Sequence, residues 1–189
     1  MRRLVAIIAA GTVLLAGCGT ALDEPIAPPI VDTTPAPGLG QVPDPVSVQI
    51  PRIGVDAPLV PTGRTPEGAW EVPSVAADAS WYQPGPEPGE TGVAVLLGHV
   101  DLNGEQGVFG RLHELGPGDE IVVPHPDGAT RWTVAEVLTR PKAEFNVQDV
   151  LSPEAEPELV LITCGGNLTR TERGGRYEDN VVVVARLSG

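Results

Sequence analysis

Apolar residues recur along this chain in short runs separated by Pro and Gly, without long helical stripes. Val46-Ser47-Val48-Gln49-Ile50 alternates at period two, the mark of a half-buried strand, and Pro51 ends it. Ile53 to Val60 carries a second short run, punctuated by Gly54 and Pro58. Gly92-Val93-Ala94-Val95-Leu96-Leu97-Gly98 is continuously apolar and of strand length, which predicts a buried strand. Pro117-Gly118-Asp119 is a turn signal and leads into Glu120-Ile121-Val122-Val123-Pro124. Asp127-Gly128 reads as a hairpin turn into Arg131 to Leu138,. Leu159 to Thr163 is an apolar, partly β-branched strand ending on Cys164, and Val181 to Val184 with Leu187 form the last strand. Only Phe109 to Leu115 predicts a turn or two of helix. Roughly eight short strands within residues 46–189 predict a mostly β domain, a closed barrel or a sandwich.

Composition narrows the choice. The chain has 189 residues with 21 Pro and 23 Gly, too many helix breakers for a long helical bundle. Two Cys exclude a disulfide-rich scaffold. A net charge of −13 argues against binding to phosphate backbones,.

The N-terminal residues read as targeting. Met1-Arg2-Arg3 is basic, and Leu4 to Leu15 is nearly unbroken apolar. That run is shorter than the ~20 residues of a membrane span and has the length of a signal core. Leu15-Ala16-Gly17-Cys18 resembles the lipobox of bacterial lipoproteins, which implies cleavage before Cys18 and a diacylglycerol on its sulfur. A plain secretory signal or an uncleaved anchor are the alternatives. Residues 1–17 are thus expected to be a lipoprotein signal peptide. Residues 18–45, with Pro25, Pro28, Pro29, Pro35, Pro37, Pro43 and Pro45 and no hydrophobic period, are expected to be an extended tether. Residues 46–189 would then be the working domain, lipid-anchored on the extracytoplasmic face of the cell membrane. With Cys18 consumed, Cys164 is the one remaining thiol.

Two strand ends carry the candidate chemistry. Leu97-Gly98-His99-Val100-Asp101 places His99 just past one buried strand. Leu161-Ile162-Thr163-Cys164-Gly165-Gly166 places the thiol at the end of another. Sites are commonly built where loops leave a rigid scaffold. Gly165 and Gly166 leave room for a substrate backbone, and their N–H groups are candidate oxyanion donors. A Cys with a His is the minimal kit for thiol acyl transfer.

The order Gly-His-Val-Asp (98–101), Leu-Ile-Thr-Cys-Gly-Gly (161–166) and Asp-Asn-Val-Val-Val (179–183) resembles the sortases, and within them the actinobacterial class F type. Ile50-Pro51-Arg52-Ile53-Gly54-Val55, Pro88-Gly89-Glu90-Thr91-Gly92, Gly107-Val108-Phe109 and Leu115-Gly116-Pro117-Gly118-Asp119 extend the resemblance over nearly the whole domain. It implies a single closed eight-stranded sortase-like β-barrel with short helices, and a Cys-His-Arg site without a cofactor or metal. Cys164 would be the nucleophile and His99 the acid/base group, with Thr163 and Gly165 shaping the strand end or the oxyanion site. The substrate would be a sorting signal of an exported protein, often of Leu-Pro-x-Thr-Gly type. The acceptor would be an amine, from a cell-wall precursor or a pilin, or water. The protein would act as a monomer.

The Arg departs from the pattern. The resemblance implies an Arg about a dozen residues after the Cys, and counting from Cys164 reaches Arg176. Anchoring on Asp179-Asn180-Val181 puts Glu178 in the Arg position instead. Arg176 is the candidate; Arg186, Arg173 or no Arg are the alternatives. A site with none implies an impaired relative that binds a peptide or cell-wall component. A thiol peptidase using water is a further alternative. A metal site from His99, Asp101, His113 and His125 lacks ligand spacing. His113 and His125 are expected in solvent, and Trp70, Trp81, Trp132 and Tyr82 in core or rim packing.

Overall fold

The structure, a computed structural model, describes residues 42–145, 150–152, 155–171 and 174–188. The expected signal peptide, Cys18, nearly all of the tether and Arg173 lie outside these residues. Within them are strands β1 Ser47–Ile50, β2 Val55–Thr62, β3 Ala79–Tyr82, β4 Val93–Gly98, β5 Asp101–Leu102, β6 Glu105–Gln106, β7 Glu120–His125, β8 Gly128–Pro141, β9 Glu158–Thr171 and β10 Gly174–Leu187. Eight of them close into a barrel in the order β1-β2-β3-β4-β9-β10-β8-β7, and β5 and β6 form a separate hairpin. Neighbours are antiparallel except β2 with β3 and β4 with β9, which run parallel.

Side-chain alternation explains why the central strands are apolar throughout. Leu159 and Leu161 of β9 join Leu96, Trp132 and Val183 in the barrel interior. Val160 and Ile162 point outward with Val95, Leu97 and Val182, and Phe145, Val150 and Leu151 pack over them. Strands buried on both faces need no polar alternation. Trp132 fills the interior with no exposed surface, and Trp81 and Tyr82 are buried.

Two expectations change, and one strand, β3, was not expected. Cys164 does not end a strand: β9 runs on to Thr171 and β10 starts at Gly174. Residues 165–171 and 174–177 therefore form a two-stranded ribbon, held by pairs such as Tyr177 with Leu168 and Arg176 with Thr169. β3 carries four residues, too few for a periodic signal. The turn or two of helix expected over 109–115 is a single 3-10 turn, Leu112–Glu114. His125 is buried and not in solvent. Its Nδ1–H donates to the Pro43 carbonyl at 2.7 Å. Its Nε2, 3.3 Å from Thr130 Oγ1, is then an acceptor, and Thr130 Oγ1 in turn accepts from Trp132 Nε1–H at 3.0 Å. Burial pushes the His125 imidazole below its ordinary range. This chain of bonds pins the backbone at Pro43 to the barrel.

Candidate active site

The register of β4 against β9 brings the two principal residues together. Leu97 stands beside Ile162 on the neighbouring parallel strand. Two residues further along each chain are His99 and Cys164. A step of two returns to the same face, and adjacent strands lie about 4.8 Å apart. Both residues are half-buried and line one cleft of about 730 Å³, together with Asp101, Lys142, Leu168, Arg176 and Tyr177. Cys164 is a free thiol.

The His99 backbone is fixed from behind. Phe109 N–H donates to the His99 carbonyl at 3.0 Å, and Gly107 N–H to the Val100 carbonyl at 3.0 Å. This approach requires glycine twice. A Cβ on Gly107 would collide with the His99 carbonyl, and one on Gly98 would meet Phe109 Cδ2 at 2.6 Å. The ring is fixed by Pro73, whose carbonyl lies 2.7 Å from Nε2. A carbonyl only accepts, so Nε2 carries the hydrogen and the lone pair of the neutral ring is on Nδ1.

Cys164 has a cationic partner that the motifs did not indicate. Lys142 Nζ lies 3.2 Å from Sγ. No motif surrounds Lys142. The available signal was the length of β8, which pairs with β10 as far as Pro141 opposite Asp179 and so carries the next residue to the cleft.

Arg176 also reaches the cleft, from the β9–β10 ribbon. Glu178 sits at a register irregularity between Tyr177 and Asp179. Its carboxylate accepts from Thr169 Oγ1 at 2.6 Å. Arg186 is opposite Glu158, roughly 20 Å along the ladder from Cys164 at ~3.3 Å per residue, and takes no part in the cleft.

Thr163 and Gly165 flank Cys164 on β9. Thr163 is buried on the inward-facing set of β9 positions, and its hydroxyl has no partner among the described residues. Gly165 is buried with its missing Cβ position taken up by Val181 Cγ2, 2.7 Å away. Gly166 adopts φ +74°, and a Cβ there would collide with the Asp179 carboxylate. The glycine pair thus seats β9 against β10, and the open side of the sulfur comes from the cleft. Asp101 faces the cleft and accepts a hydrogen bond from Tyr177 Oη. That bond pushes the Tyr177 phenol above its ordinary range, because the proton to be lost is the one Asp101 holds. It joins the β5–β6 hairpin to the ribbon across the cleft.

Among the described residues no group of His, Cys, Asp and Glu is arranged to hold a metal ion. The arrangement is a thiol, an imidazole and two cationic side chains in an open cleft, suited to nucleophilic attack on a carbonyl.

The sequence pattern described as Sortase domain matches residues 48–188. No curated protein matches the chain. Among solved structures, a Clostridium perfringens sortase D5 transpeptidase is similar with a TM-score of 0.55 and 21% identity, over 79% of this chain and 83% of that one. Sortase A from Corynebacterium diphtheriae gives a TM-score of 0.59 and 17% identity, over 79% of this chain and 63% of that one. Sortase C-1 from Streptococcus pneumoniae gives 0.56 and 22%, over 76% and 66%. The chain thus spans slightly less than two thirds of the last two. At these identities the likeness is one of fold.

Proposed function

Because this chain belongs to the sortase family, we propose that it is a cysteine transpeptidase whose nucleophile is Cys164 and whose acid/base group is His99. Sγ gives its proton to His99, attacks the carbonyl of a sorting-signal peptide and forms an S–C bond as the C=O electron pair moves onto oxygen. The C–N bond then breaks, and His99 protonates the departing amine. An incoming amine attacks the thioester, gives its proton to His99 and releases the thiolate. The observation that carries this reading is the β4–β9 register, which delivers His99 and Cys164 to one cleft.

On motif order we assign the chain to the class F type. We further propose that Cys18 carries a lipid and that the Pro-rich tether holds the domain at the extracytoplasmic membrane surface. Fatty-acid labelling that is lost in Cys18→Ala is the expected result; labelling retained in that variant contradicts the anchor. Arg176 supports the reading as a guanidinium at the cleft wall, suited to binding a peptide carbonyl. Arg176→Ala is expected to lower kcat/KM by about tenfold, the size of one charge-assisted hydrogen bond; unchanged kinetics remove it from the site.

The test of the function is a quenched peptide of Leu-Pro-x-Thr-Gly type, followed with and without an added amine. Amine-linked product is expected. Free acid as the sole product would make the protein a hydrolase. An intact peptide with no thioester on Cys164 would overturn the reading.

A further inference from the structure

Acyl transfer at Cys164 needs positive charge twice. The thiolate must be held before attack, and the substrate's carbonyl oxygen becomes an anion as the S–C bond forms. Lys142 is the chain's single lysine, and its Nζ is 3.2 Å from the sulfur. Backbone contacts hold it there. Lys142 N–H donates to the Glu178 carbonyl at 2.9 Å, and Glu144 N–H closes a turn onto the Pro141 carbonyl at 3.0 Å. The Glu178 carboxylate accepts from Thr169 Oγ1 at 2.6 Å, and among the described residues it makes no ion pair with the ammonium. An ammonium has three donors, so one on the sulfur leaves two for an oxyanion.

We propose that Lys142 is a catalytic residue whose ammonium holds the Cys164 thiolate and then the tetrahedral oxyanion. The proposal rests on the thiol-transfer reading above. It explains how the site works with Glu178 where the resemblance implied an Arg: the cation comes from the end of β8, one strand over, and touches the backbone of the residue it replaces. Lys142 keeps its protons throughout. The sulfur's electron pair forms the S–C bond, the C–N pair leaves with the amine, and the transferred proton belongs to His99.

The test uses the full chain with Lys142→Met and Lys142→Arg. The probes are iodoacetamide and iodoacetate at pH 7, read by mass spectrometry of the Cys164 peptide. Lys142→Met is expected to slow iodoacetamide labelling about tenfold, the size of a water-screened Coulomb attraction at this distance. It should slow anionic iodoacetate further, lowering the ratio of the two rates, and Lys142→Arg should restore that ratio. Peptide turnover is expected to fall about 10²–10³-fold in Lys142→Met, as when an oxyanion donor is removed. Circular dichroism and Tm establish folding, and Lys142→Gln replaces Lys142→Met if the latter fails to fold. Wild-type labelling rates and ratio in the folded neutral variant would overturn the proposal. Turnover that survives in Cys164→Ala would instead overturn the thiol-transfer reading beneath it.

Discussion

Cys164→Ala is expected to reduce turnover of a sorting-signal peptide to background and to eliminate any covalent intermediate. The variant deletes the sulfur and nothing the fold needs. Cys164 is a half-buried free thiol paired with Asn180 on β10, and its side chain meets Lys142 Nζ. Neighbouring strand positions retain their packing, Ile162 on the outer face and Leu161 inside. The melting temperature should therefore stay near that of the wild type while activity disappears. Intact-mass measurement after peptide addition provides the second readout. The wild type should gain the acyl fragment and Cys164→Ala should not. An acylated Cys164→Ala protein, or one that still cleaves peptide, would place the nucleophile elsewhere.

The barrel was legible in the sequence wherever strands bury one or both faces. The alternation of Val46 to Ile50 and the apolar runs at 92–98 and 159–163 correspond to β1, β4 and β9. His99 and Cys164 were legible because they follow those runs. What remained hidden was set by pairing across strands. Asn167, Leu168 and Thr169 follow a Gly-Gly pair and carry no apolar alternation, yet β9 continues through them, paired to β10 at Leu168 and Thr169. Lys142 is a lone lysine after a proline, and only the length of the β8–β10 ladder carries it to the sulfur. His125 beside a turn reads as solvated. Its burial depends on Pro43, which lies 82 positions away in the chain. The Gly165-Gly166 pair also has a packing reason that only the cross-strand register reveals: its missing side chains make room for Val181 and Asp179.

His99→Ala is expected to lower kcat by about 10²–10⁴-fold, the usual range for a general acid–base group, with a much smaller change in KM. The hydrogen bond to Pro73 fixes which nitrogen works. With Nε2–H committed to that carbonyl, Nδ1 is the atom that takes and returns the proton. The bond persists when the ring is cationic, so the ring keeps its orientation as the proton comes and goes,. Removing the ring leaves the thiol without a proton donor for the departing amine, so the acylation step should slow most. An activated ester with a good leaving group needs no such proton and should regain much of its acylation rate in His99→Ala. Because Cys164 and His99 act as one unit, the double variant should be no worse than Cys164→Ala alone. Equal losses with the amide and the activated ester would show that the ring acts by holding the cleft in shape, and wild-type kcat in His99→Ala would remove it from the chemistry.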